Sequence, residues 1–151
     1  MSGRFARWLE LPRGERWLLL GLMGGLVVIS ALLRVFGVVR TRRWLERFSL
    51  NSTPHTADAD ELRSAERLAR LTDIAGRRGA ISVTCLRQSL LVYWLLRRRG
   101  LAPELKLGVR KEQATFDAHA WVELQGVALG QSDLAHSPFP DRDWSAATRL
   151  L

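Results

Sequence analysis

The sequence predicts an α+β domain in which helices come first and a small antiparallel sheet follows. Three observations carry that expectation. Apolar residues recur at helical spacing between residues 60 and 99, the spacing switches to strict alternation after Pro103, and Gln125-Gly126 supplies a tight turn between alternating stretches.

One helix is expected from near Asp60 to about Arg77, with Leu62, Ala65, Leu68, Ala69 and Ile74 on one apolar face and Gly76 and Gly79 punctuating its end. The next, within ISVTCLRQSLLVYWLLRRRG, is the best specified in the chain. Ser82 or Thr84 can serve as N-cap, and Leu86, Leu90, Tyr93 and Trp94 recur at helical spacing. Arg97, Arg98 and Arg99 complement the negative helix end, and Gly100 is placed to be the C′ residue. Cys85 falls in its first turn. In ELKLGVR, Leu105, Leu107 and Val109 point one way, Lys106 and Arg110 the other. In FDAHAWVEL, Phe116, Ala118, Ala120, Val122 and Leu124 make one face, and Asp117, His119, Trp121 and Glu123 the opposite face. VALGQ returns as a third strand, and the proline-containing tail from His136 reads as irregular, closing with a short helix.

The 151 residues suit one domain with room for an N-terminal appendage. Nearly half are apolar and a quarter charged, which excludes disordered and collagen-like classes. A single cysteine cannot form an intramolecular disulfide, and there is no CxxC pair to hold structural zinc. Both facts point to a reducing, cytoplasmic compartment. The net charge of +8 suits anionic partners, although substitution of arginine for lysine on solvated faces gives the same balance.

From Trp17 to Leu33 no residue is charged, which is close to the lower limit for spanning a bilayer, and arginines crowd both flanks. No convincing cleavage signature follows, and Glu10 and Glu15 precede it, so a secretory signal is not expected. Hydropathy alone leaves open a membrane helix or the buried helix of a soluble domain. The expected organisation is an N-terminal helical region over 1–50 with an apolar helix at about 15–39, a polar linker over 51–59 containing a decorative His55, and a catalytic domain over 60–151.

A thiol at a helix start sits where unpaired backbone N–H groups and the positive dipole end favour thiolate, and those N–H groups can donate to an oxyanion. His119, on the polar face of a strand, is the candidate general base. A cysteine at a helix start with a histidine on a following strand is the layout of papain-like and transglutaminase-like enzymes. The plainer reading is a small buried thiol and a structural histidine.

The order TCLRQSLLVYWLLRRRG, LKLGVRK, FDAHAWVEL and GVALGQ resembles the transglutaminase-like leader peptidases of lasso-peptide biosynthesis over roughly residues 60–140, and LPRGERWLLL is similar to their N-terminal helical region. The resemblance implies a transglutaminase-like or papain-like cysteine protease core that removes the leader from a ribosomally made precursor peptide. Cys85 would be the nucleophile and His119 the general base and later general acid, with no metal, nucleotide or other cofactor. The implied partners are the precursor's leader region, a leader-recognition protein and an ATP-dependent macrocyclase, with no nucleic acid. The family's third residue, an aspartate that orients the imidazole, corresponds by position to Gln131, with Asp133 two residues later. A three-residue turn at 124–126 would place Gln131 opposite His119, an extra turn residue Asp133, and a strict two-residue turn Ser132. Asp117 is a more remote candidate for that role. Gln88 either lines the site or is a surface residue, Trp121 either shields the site or binds substrate, or simply packs, and His136 lies in the tail. The resemblance favours an N-terminal helix packed within the protein or on a partner, with peripheral membrane contact still open. The rival functions are a non-catalytic transglutaminase-like peptide-binding scaffold and a basic membrane-associated protein.

Overall fold

The computed structural model describes residues 13–49, 53–78, 84–112, 115–130 and 137–138. Among these residues three helices, α1 (Arg13–Arg47), α2 (Ala59–Arg78) and α3 (Cys85–Arg98), precede strands β1 (Pro103–Glu112), β2 (Thr115–Leu124), β3 (Val127–Ala128) and β4 (Ser137–Pro138). The strands form one antiparallel sheet in the order β3-β2-β1-β4. This is the α+β arrangement that the change of period predicts.

α3 is the centre of the molecule, packing on α1, α2, β1 and β2. Its residues Leu86, Leu90, Leu91, Val92, Tyr93 and Leu96 share one core with Leu19, Leu22, Leu26 and Ile29 of α1, Ala65 and Leu68 of α2, Leu105 and Leu107 of β1, and Ala120, Val122 and Leu124 of β2. Thr84 is its N-cap in extended conformation, without a side-chain cap hydrogen bond. At the other end Gly100 takes φ +79°, its N–H donates to the Arg97 carbonyl, and the Leu101 N–H donates to that of Leu96. That pair of bonds is the Schellman closure, and the left-handed residue it needs is the reason for Gly100.

α2 begins with a reciprocal cap. Asp58 Oδ1 accepts from the N–H groups of Asp60 and Glu61, while Glu61 Oε2 accepts from the Asp58 N–H at 3.1 Å. His55 is drawn into the same corner: its ring pairs with Glu61 Oε1 at 2.9 Å and its N–H donates to the Gly100 carbonyl. The His55 ring and the Asp58 N–H hold the Glu61 carboxyl below the usual carboxylate range. The segment from 53 to 58, expected as linker, is thus pinned to the turn that ends α3.

α1 runs farther than the expected 15–39, reaching Arg47 across a break at Gly37 (φ 72°, ψ 175°). On its inner side it approaches α3 closely at Gly25, where an added Cβ would lie 2.9 Å from a Leu91 methyl group. β4, taken from the tail expected to be irregular, pairs Ser137 with Val109 and Pro138 with Gly108 at the sheet edge, where a proline's missing N–H is tolerated. The rest of the tail, including His136 and the expected closing helix, lies outside the described residues.

Candidate active site

The two residues singled out as a dyad line one cleft of about 280 Å³. Cys85, the first residue of α3, is free and partly buried. The Thr84 carbonyl accepts from the N–H groups of Arg87 and Gln88, and the N–H groups of Cys85 and Leu86 belong to the first turn, which no carbonyl within the helix serves. A helix start of this kind combines N–H donors with the positive end of the helix dipole, a setting that suits an attacking thiolate and a developing oxyanion.

β2 brings in His119. In the ladder with β1 it stands opposite Gly108, the one residue of that strand without a side chain. Its neighbours Ala120 and Val122 turn into the core. Trp121 is buried, lines the cleft, stacks on the His119 ring at 6.2 Å between centroids and 17° between planes, and donates from Nε1 to Glu123 Oε1 at 2.9 Å. Trp121 therefore packs and at the same time forms part of the cleft wall beside the imidazole.

Two residues of α3 tie the cysteine helix to this strand and to α2. Ser89 Oγ donates to the Ala120 carbonyl at 2.9 Å, a buried bond immediately beside His119. Gln88 lines the cleft and lies over Gly76 of α2, where any added Cβ would collide with the Gln88 amide nitrogen. A side chain at position 76 would therefore displace the flexible end of Gln88 from its place in the cleft wall. Opposite them on the rim, Asp73 and Arg77 of α2 form an ion pair at 3.0 Å. Ser89, Asp73 and Arg77 were not picked out by the motifs. A serine on the buried face of an otherwise apolar helix was the available signal for the first, and an i,i+4 acid–base pair reads only as helix surface for the other two.

The third member of a triad is a different matter. Gln125 (φ 54°) and Gly126 (φ 77°) form a strict two-residue turn, and Leu124 pairs with Val127 and Glu123 with Ala128. Extending that register would set residue 132 opposite 119, but β3 ends at Ala128. Gln131, Ser132 and Asp133 lie outside the described residues. Asp117 stands two positions before His119 on β2, opposite Arg110. Among the described residues no group of three or more His, Cys, Asp or Glu side chains is placed to hold a metal ion.

A helix presenting a cysteine at its start and packing against an antiparallel strand that carries a histidine defines a class of thiol-enzyme scaffolds. Residues 27–140, well over half of the chain, match the transglutaminase-like superfamily. The chain belongs to that superfamily, whose members are often cysteine peptidases or transferases. Comparison with curated proteins and with solved structures returned no match.

Proposed function

We propose that the protein is a cysteine peptidase that removes the leader from a ribosomally synthesised precursor peptide during lasso-peptide maturation. The observation that carries the enzymatic part is the shared cleft, with Cys85 at a helix start and His119 on the adjoining strand. The leader-peptidase part rests on the ordered resemblance of residues 60–140.

In this reading the Cys85 thiolate attacks the scissile carbonyl, and the oxyanion is met by N–H groups at the start of α3. Protonated His119 gives its proton to the departing amine as the C–N bond breaks, leaving a thioester on Cys85. His119 then takes a proton from water, hydroxide adds to the thioester carbonyl, and the thiolate leaves with a carboxylic acid as product. Gln131 or Asp133 orients the imidazole. A glutamine fixes the tautomer but stabilises imidazolium less than a carboxylate does. The leader-recognition protein delivers the substrate and the ATP-dependent macrocyclase acts on the freed core peptide. In this reading 1–50 is an N-terminal helical region, 51–59 a linker and 60–151 the catalytic domain, a division supported by the described cleft-lining residues, which all fall in the last segment. The second reading, a non-catalytic peptide-binding relative, draws on Gln131 standing where the family has aspartate.

The test is leader removal from a candidate precursor peptide sought among the neighbouring genes, with any neighbouring leader-recognition protein present, followed by mass spectrometry. Cys85→Ala and His119→Ala each abolish cleavage while the thermal transition stays in place. Cleavage retained by either variant defeats the mechanism, and an inert wild-type chain favours the scaffold.

A further inference from the structure

The outer side of α1 has no cover within the described residues. Trp17, Leu20, Val27, Val28 and Val35 are all exposed, Trp17 and Val35 by more than two thirds. Together with Gly24 and Ala31 they recur at three- and four-residue steps, forming one stripe on the side away from Leu19, Leu22, Leu26 and Ile29, which are 2–3% exposed. At 1.5 Å per residue the stripe is about 27 Å long. Beyond the break at Gly37 the exposed apolar surface resumes with Val39 and with Trp44 and Phe48, whose rings pack at 4.3 Å. The ends of this surface are basic: α1 carries seven arginines against Glu15 and Glu46, a net charge of +5.

We infer that α1 docks this protein on an anionic phospholipid surface, lying flat with its outer stripe in the headgroup–acyl boundary. An ordinary interfacial helix has one apolar and one polar face, whereas here the second face is occupied by the protein's own core. Charge selects the occupant. Anionic headgroups neutralise the arginine clusters, whereas a second copy apposed along the stripe would bring +5 against +5. Trp17 and Trp44 are both exposed, and indole rings favour the headgroup depth at which a flat-lying helix sits along its whole length. Crossing the bilayer is disfavoured because it would pull Leu19, Leu22, Leu26 and Ile29 off α3 and uncover Leu91 beneath Gly25. The cleft is lined by α2, α3, β2 and residues 129–130, with none from α1, so docking leaves it open. The inference stands independently of the roles assigned to Cys85 and His119.

Flotation of the full chain with phosphatidylcholine vesicles, with and without phosphatidylglycerol, tests this. Binding is expected only to the anionic vesicles and weakens as salt is raised. Both Val28→Glu with Val35→Glu and Arg40→Glu with Arg43→Glu reduce it by about tenfold or more, without shifting the thermal midpoint. Unchanged binding in the Val28→Glu, Val35→Glu variant, or equal binding to neutral vesicles, overturns the inference. So does a vesicle-free dimer that this variant converts to monomer, which would assign the stripe to a second copy. Protease protection of one end of α1 in sealed vesicles would instead assign a spanning helix.

Discussion

α1 and α3 are both rich in leucine and both end in arginines, yet they stand in opposite relations to water. α3 is surrounded by α1, α2, β1 and β2, and its exposed positions are few and mostly polar. α1 is covered along one side only, and what it leaves uncovered is as apolar as what it buries. An amphipathic period reports a helix with core on one side and water on the other. Apolarity all round reports a helix for which neither side is meant for water. By length and composition α1 could cross a membrane, and a core helix passes the same test. The inner face has a partner in the chain; among the described residues the outer face has none.

The sharpest way to break this comparison is to truncate equivalent apolar residues in the two settings. Leu90 of α3 is fully buried, so Leu90→Ala should cost about 2–5 kcal/mol in urea unfolding. Val28→Ala, on the outer face of α1, should stay within about 0.5 kcal/mol. Equal losses would mean that the outer stripe is packed in solution after all.

Next in size is the bond holding the cysteine helix to the histidine strand. Ser89→Ala strands the buried Ala120 carbonyl and should cost about 1–3 kcal/mol, since no replacement donor enters with the methyl group. A neutral result would place water at that carbonyl and loosen the account of how Cys85 and His119 are aligned.

The smallest effect concerns the seam between the two helices. Tyr93 of α3 donates to Glu46 Oε1 of α1 at 3.1 Å. Burial, and then the Glu46 carboxylate, push its ionisation above the ordinary value of 10.0. A folded-state value that is raised favours the neutral form, so this contribution is fully present below the ordinary value and is lost as pH rises through the folded one. Tyr93→Phe should therefore lose about 1 kcal/mol at neutral pH. The gap between variant and wild type should shrink in unfolding titrations above about pH 10. A gap constant with pH would remove Tyr93 from the alkaline response.

Where the structure was legible in the sequence, the signals were local. The alternation after Pro103, the Gln125-Gly126 turn, Gly100 at the helix end and Cys85 in a first turn all follow from backbone rules that act within a few residues. The features that escaped are mostly non-local. β4 forms because β1 offers an edge to Ser137 and Pro138, which nothing in a proline-bearing tail announces. Ser89 matters because a strand some thirty residues later lends it a carbonyl. The Asp58–Glu61 cap was readable from its spacing and was absorbed into a linker because the surrounding residues are polar. That Cys85 and His119 would share a cleft was legible because each had its own marker, a helix start for one and a polar strand face for the other. What stands opposite His119 was not, because the opposing register depends on the length of the turn and of β3.

The proposed activation of Cys85 by the fold is read most directly from its alkylation rate with iodoacetamide at pH 6–7. Under this account native Cys85 reacts far faster than the thiol of the denatured chain, and His119→Ala removes most of that advantage. Equal rates for native and denatured chain would contradict it.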